Sequence, residues 1–253
     1  MNAWLLLRGL TREARHWGPF PAALSDRFPR MPVVTIDLPG NGERHAERSP
    51  PDMPEIALAC KQRASALGLR PPFGVLAMSL GAMATAEWAR ACPQDLACAV
   101  LISASLRPFS PAHRRLRPSA WASLLRAAIA PDPAQREREV WHITSRRPER
   151  DREDVVGTWA ALRRDRPVTA GNTLRQLWAA ARYRAPPEAP AVPLLLLSGK
   201  GDRLVHPSCS AAIAREWGAP LHTHPWAGHD VPLDDPAWVA DAVAAWVQTL
   251  HAR

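Results

Sequence analysis

Apolar runs broken by short polar turns recur along the chain. Ala3 to Leu7 is apolar throughout and stops at Arg8-Gly9, Pro32 to Ile36 is largely β-branched and stops at Asp37-Leu38-Pro39-Gly40, and Phe73 to Met78 stops at Ser79. Ala97 to Ser103 and Val192 to Ser198 follow the same form, and Leu221 to Pro225 reads as a sixth, shorter strand. Continuous apolar runs, unlike alternating ones, mark strands covered on both faces. Helical patterns lie between and after them. Leu80 to Cys92 is Ala-rich and meets the stop signal Pro93, and Ser210 to Trp217 reads as a helix. Ala237 to His251 gathers Trp238, Val239, Val243, Trp246, Val247 and Leu250 on one side.

Residues 107–185 break this alternation. They hold short amphipathic segments, many Arg, and Trp121, Trp141, Trp159 and Trp178, with no strong strand. Several helices are expected there, and Pro186 to Pro190 reads as a linker back to the strands. Strands alternating with helices predict an α/β protein with a mostly parallel sheet and helices on both faces. The predicted organisation is core in 1–106, a helical insertion in 107–185 and core again in 186–253.

A chain of 253 residues suits one large domain with an insertion, because single cores rarely outgrow about 250–300 residues. Its 47% apolar content excludes a disordered or fibrous chain. No apolar run reaches the roughly 18 residues needed to cross a bilayer, and no membrane association is expected. Met1 to Leu10 has neither a basic flank nor a small-residue cleavage site, so a cytoplasmic protein is expected. Cys60, Cys92, Cys98 and Cys209 form no CxxC pair and no zinc spacing with His, and each is expected as a small buried hydrophobe.

The net charge is +8, and all the basic residues except Lys61 and Lys200 are Arg. Basicity alone would suggest nucleic acid. No Arg-rich tail, helix-turn-helix pattern or aromatic RNA-binding motif accompanies it, and no nucleic-acid partner is expected. The charge is unevenly placed: residues 107–185 hold 17 Arg against 8 Asp and Glu, a balance of +9, and the remainder carries −1.

Ala77-Met78-Ser79-Leu80-Gly81 sets a serine between small residues, after an apolar strand and before a helix. Such a turn is tight enough to require small neighbours. It lifts the hydroxyl above the sheet and aims the first helix amides at any oxyanion formed there. Serine needs a base to become a nucleophile, and the base needs an orienting acid. Asp202 follows the fifth predicted strand and His229 follows the sixth, in Trp226-Ala227-Gly228-His229-Asp230. Both fall at carboxyl ends of strands, where α/β sheets place their sites. His222 and His224 alternate along the last strand and are expected as a surface pair. No HExxH or carboxylate–histidine cluster appears, so no metal site is expected. No cofactor is implied, because serine, histidine and aspartate suffice.

Over essentially its whole length the chain resembles the α/β-hydrolase superfamily, of the serine esterase type with a helical cap. The resemblance rests on Leu7-Arg8-Gly9-Leu10, Asp37-Leu38-Pro39-Gly40-Asn41-Gly42, the Ser79 elbow, and the Asp202 and His229 segments. It implies the α/β-hydrolase fold with about six strands, since the chain opens on the strand that is usually third, and a cap at 107–185. It also implies Ser79 as nucleophile, His229 as base and Asp202 as acid, with the backbone N–H groups of Leu10 and Leu80 as the oxyanion hole. Arg8 stands where the family usually has His, and Ala77 where the elbow usually begins with Gly. Ser79 separates the chain from the haloalkane dehalogenases, which place Asp there.

The implied activity is cleavage of carboxylic esters through an acyl-enzyme. Within the superfamily the chain is similar to the pimeloyl-carrier-protein methyl ester esterase group, whose cap arginines receive an acidic acyl carrier protein. This implies, as an alternative, a carrier-protein methyl ester esterase or a thioesterase. Candidate docking residues are Arg114, Arg115, Arg117, Arg146, Arg147 and Arg150. A non-catalytic hydrolase-like binding protein is a further alternative. The tryptophans of 107–185 are expected either to line an acyl pocket or to pack the segment's own core.

Overall fold

The structure, a computed structural model, describes residues 1–251. Six strands form one sheet: β1 (Trp4–Leu7), β2 (Val33–Ile36), β3 (Phe73–Met78), β4 (Leu96–Ile102), β5 (Leu194–Gly199) and β6 (Leu221–His224). Their order is β2-β1-β3-β4-β5-β6, and every neighbouring pair is parallel. β3 has the bounds read from sequence. β2 and β5 begin just after Pro32 and Pro193, which have no N–H to give to a ladder.

Parallel neighbours need crossovers, and helices supply them. α1 (Phe20–Arg27) joins β1 to β2, α2 (Met53–Ala66) joins β2 to β3, and α3 (Leu80–Ala91) joins β3 to β4. The hydrophobic pattern predicts neither α1 nor α2. α2 does carry a start signal: Asp52 accepts a hydrogen bond from the Glu55 N–H at 3.0 Å, and Pro54 stands in its first turn.

Five α-helices occupy the long connection from β4 to β5: α4 (Ala112–Arg115), α5 (Trp121–Ile129), α6 (Pro133–Thr144), α7 (Arg152–Asp165) and α8 (Ala170–Arg182). α9 (Ser208–Trp217) joins β5 to β6, and α10 (Val231–Asp234) and α11 (Pro236–His251) follow β6.

Side chains alternate across the sheet and build a core on each face. Leu5, Leu7, Val75, Ala77, Leu101 and Leu196 meet α2, α3 and α9 on one side. Trp4, Leu6, Leu76, Val100, Leu195 and Leu197 meet α1 and α11 on the other. Leu6, Leu76, Val100 and Leu195 are fully buried, and each such side chain is worth about 1.5–3 kcal/mol of transfer free energy.

In the β4–β5 segment, α5 packs on α6 and α6 on α7. Trp141, Val156, Trp159 and Leu233 form a small core beneath them. α8 instead reaches the main core through Ala179 and Tyr183. Its buried face also carries amides that bind core loops. Gln176 Nε2 donates to Asn41 Oδ1 at 2.8 Å and to Ser49 Oγ at 3.0 Å, while its Oε1 accepts the Thr11 N–H at 3.1 Å. Asn172 accepts the Ser49 N–H at 3.0 Å and donates to the Glu47 carbonyl at 2.8 Å.

A second tie is ionic. Glu137 on α6 is fully buried and accepts from Arg12 at 2.7 Å and from Arg163 at 2.5 Å. Burial pushes its carboxyl upward, but the two guanidiniums together outweigh that and hold it below the ordinary value.

Candidate active site

Ser79 sits between the last residue of β3 and the first of α3, with φ of 53° and ψ of −113°. Few residues other than glycine adopt that region, and a strained turn between a buried strand and a buried helix persists because both ends are fixed. Two close approaches seat the loop after β1 on this turn. A methyl group on Gly9 would lie 3.1 Å from Ser79 Cβ and 3.7 Å from Ser79 Oγ. One on Gly81 would lie 2.6 Å from the Arg8 carbonyl oxygen. The small residues around Ser79 are therefore contacts to the β1 loop as much as requirements of the turn.

Leu80 is the first residue of α3, so its N–H has no carbonyl within the helix. Among the described residues the N–H of Leu10 likewise donates to none. Leu10 lies next to Gly9, whose α-carbon is close to Ser79.

Asp202 lies three residues past β5 and His229 five past β6, and both are buried. His229 Nδ1 is 2.7 Å from Asp202 Oδ2. A carboxylate only accepts, so Nδ1 carries the proton, and Nε2 of the neutral ring is an acceptor. Asp202 Oδ1 takes the N–H groups of Leu204 at 2.8 Å and Val205 at 2.9 Å, which fixes the carboxylate plane. Ser103 Oγ donates to the His229 carbonyl at 2.8 Å, and the Ser79 N–H donates to the carbonyl of the neighbouring Ile102 at 3.0 Å. The end of β4 thus stands between the two. The structure brings Asp202 and His229 into direct contact. Among the described residues Ser79 Oγ forms no hydrogen bond to His229, and the two are linked through their neighbours.

Those neighbours include a pair that the sequence reading did not connect. Arg8, at the end of β1, and Asp230, next to His229, form a buried two-pronged ion pair at 3.0 and 2.5 Å. They are 222 positions apart, and no local pattern joins them. Asp234 on α10 holds the same loop: it accepts the Gly228 N–H at 2.7 Å and the Ser145 hydroxyl at 2.6 Å, and burial pushes its carboxyl upward.

The arginines of 107–185 divide. Arg147 and Arg150 face Asp151, and Arg115 donates to the Ala180 carbonyl. Arg117 donates to the Asp202 carbonyl at 2.6 Å, and the Arg146 stem packs on Gly201. Among the described residues Arg114, Arg117, Arg146 and the neighbouring Arg203 have no carboxylate partner within ion-pair distance. Burial, then the charge of Arg203, pushes Arg146 down to about 10.

The tryptophans divide too: Trp141 and Trp159 are buried, whereas Trp121 and Trp178 are 60% and 56% exposed. Trp121, Leu125 and Ile129 make an exposed apolar stripe on α5, and Leu174, Leu177 and Trp178 make one on α8. His222 is exposed as expected, but His224 is buried, correcting the surface-pair reading. It stacks edge-on against Trp226 and Trp238, and its Nδ1 accepts the Ala227 N–H at 2.9 Å. A groove of about 830 Å³, lined by Val192, Leu194, Trp217, Pro220 and Trp246, opens at the opposite, N-terminal end of β5 and β6.

A profile of the alpha/beta hydrolase family matches residues 4–242. Among curated proteins no sequence match is found. Solved structures of similar fold include a thermophilic esterase from Thermogutta terrifontis, at 22% identity and a TM-score of 0.73, covering 99% of this chain and 91% of that one. The esterase RhEst1 from Rhodococcus sp. ECU1013 is similar at 17% identity and a TM-score of 0.74, covering 98% and 91%. A 2-hydroxy-6-oxo-6-phenylhexa-2,4-dienoate hydrolase from Rhodococcus sp. strain RHA1 is similar at 20% identity and a TM-score of 0.77, covering 100% and 91%. At such identities the likeness is one of fold.

Proposed function

We propose that this chain, which belongs to the alpha/beta hydrolase family, is a serine esterase that cleaves carboxylic esters through Ser79, His229 and Asp202. The observation that carries the reading is the buried 2.7 Å contact of His229 Nδ1 with Asp202. It leaves Nε2 as the basic atom of a ring whose loop is tied to the Ser79 turn. Bonds between nucleophile and base often close only around substrate.

Ser79 Oγ attacks the ester carbonyl carbon as His229 Nε2 takes the hydroxyl proton. The N–H groups of Leu10 and Leu80 receive the oxyanion. The tetrahedral intermediate collapses, the alkoxide leaves with the proton from His229, and an acyl-serine remains. Water repeats the sequence: His229 takes its proton, the acid departs, and Ser79 Oγ recovers a proton from Nε2. Asp202 holds the tautomer and stabilises the cation throughout.

The β4–β5 helices act as a cap. Gln176 reaches the Thr11 amide, so the buried face of α8 meets the oxyanion loop, while Leu174, Leu177 and Trp178 lie on its exposed face. The test is hydrolysis of p-nitrophenyl esters of graded acyl length by wild type and Ser79→Ala. Serine-dependent turnover peaking at one length supports the reading. Equal turnover by both proteins refutes it, and no turnover by either moves the weight to a hydrolase-like binding protein.

One observation favours a second reading, a carrier-protein methyl ester esterase or thioesterase. Arg117, Arg146 and Arg203 crowd together beside Asp202 without carboxylate partners, a surface suited to an acidic partner. Under this reading a carrier-bound ester reacts faster than the free ester at low salt and loses that advantage at high salt. A salt-independent ratio dismisses it.

A further inference from the structure

Arg8 is buried where three loops of the site meet. Its own backbone opens the loop Gly9-Leu10. Its Nη1 and Nη2 grip Asp230 Oδ1 and Oδ2, the residue after His229, at 3.0 and 2.5 Å. Nη1 also lies 3.4 Å from Sδ of Met78, the residue before Ser79. The guanidinium also lies over the Trp17 ring, 4.7 Å from its centroid. Asp230 is anchored in turn: its N–H donates to the Thr144 carbonyl at 2.8 Å, and it caps the N-terminus of α10.

We propose that Arg8 is a positioning residue, a buckle that sets the distance of His229 from Ser79 by holding Asp230 against Met78 and the start of the oxyanion loop. The proposal rests on the serine esterase reading and adds the device that registers its parts. Buried ion pairs are often replaceable by apolar groups without loss of stability. What apolar groups do not supply is the planar, two-point geometry of a guanidinium fork. One fork serves all three loops, so a small change in its reach displaces base, nucleophile and oxyanion donors relative to one another. A misplacement of about 1 Å between reacting groups can cost roughly 100-fold in rate.

The test uses Arg8→Lys, which keeps the charge and loses the fork, and the double variant Arg8→Met with Asp230→Asn, which leaves neither charge buried alone and keeps a cap for α10. Each is compared with wild type in thermal unfolding, in kcat and KM on the best p-nitrophenyl ester, and in the low-field proton resonance of His229 Nδ1–H. The buckle predicts a kcat lower by about 10–100-fold in both, a KM within a few-fold of wild type, and a shifted or broadened Nδ1–H resonance in a folded double variant. Wild-type kcat and an unchanged resonance in that variant would overturn it. Reaction of wild type and Ser79→Ala with an alkyl fluorophosphonate separates the two readings. If wild type fails to react, the esterase reading falls, and the resonance still decides for or against the buckle.

Discussion

The α-carbon of Gly81 faces the carbonyl oxygen of Leu7 so closely that a methyl group there would come within 2.7 Å of it. Both the Leu7 and Arg8 carbonyls that crowd the position are backbone, so the end of β1 must retreat to admit a side chain. Gly81→Ala is expected to cost about 2 kcal/mol by overpacking, and to draw the Leu10 amide away from Ser79. Thermal unfolding should show the loss as a drop of roughly 4–8 °C. Fluorophosphonate labelling should slow in the protein that remains folded.

Asp202→Asn replaces an acceptor by a group that can donate to Nδ1, which favours the wrong tautomer of His229. The fold should be unaffected, because Oδ1 still receives the Leu204 and Val205 amides. Ester turnover should fall by about 10,000-fold. Full activity in the variant would remove Asp202 from the mechanism.

Glu137→Ala strands Arg12 and Arg163 in a site built for a carboxylate. Arg12 is also held over the Trp159 ring, with 4.2 Å between guanidinium and ring centroid, and among the described residues it has no second carboxylate. Removing one member of a buried ionic cluster costs about 3–5 kcal/mol. Urea denaturation should show that loss, and Glu137→Gln, which keeps hydrogen-bonding atoms, should lose less.

His16 adds a pH dependence of stability. Burial, then the charges of Arg12, Arg8 and Arg163, holds it well below its ordinary value of 6.5. Below that pH the unfolded chain takes a proton that the folded chain refuses, so stability is full above 6.5 and falls as pH falls. The limiting slope is about 1.4 kcal/mol per pH unit for one such group. His16→Asn preserves an acceptor for the Glu13 N–H and should flatten the slope between pH 6.5 and 5 in urea titrations. An identical slope would show that His16 titrates normally.

Much of the frame is legible in the chain because parallel strands buried on both faces write themselves as unbroken apolar runs. β3 could be read residue by residue, and Ser79 and Asp202 each follow such a run. α1 and α2 were less legible, since half-exposed crossover helices mix polar and apolar positions without a clean stripe. The ion pair of Arg8 with Asp230 could not be read at all: spacing carries no signal for partners that the sheet order brings together. His224 reads as a surface residue because strand alternation does not report the two tryptophans that close over it. Each tryptophan of α5 to α8 stands on a helix that mixes polar and apolar positions, and packing separates the buried Trp141 and Trp159 from the exposed Trp121 and Trp178.

The amides that Asn172 and Gln176 spend on the loops after β1 and β2 bear on how such a protein can change. A foreign segment grafted between β4 and β5 would arrive without those two side chains and leave Asn41, Ser49 and the Thr11 N–H facing nothing. The segment is therefore not an exchangeable cassette. Single substitutions on the outward stripes of α5 and α8 are the changes that leave both latch and core untouched.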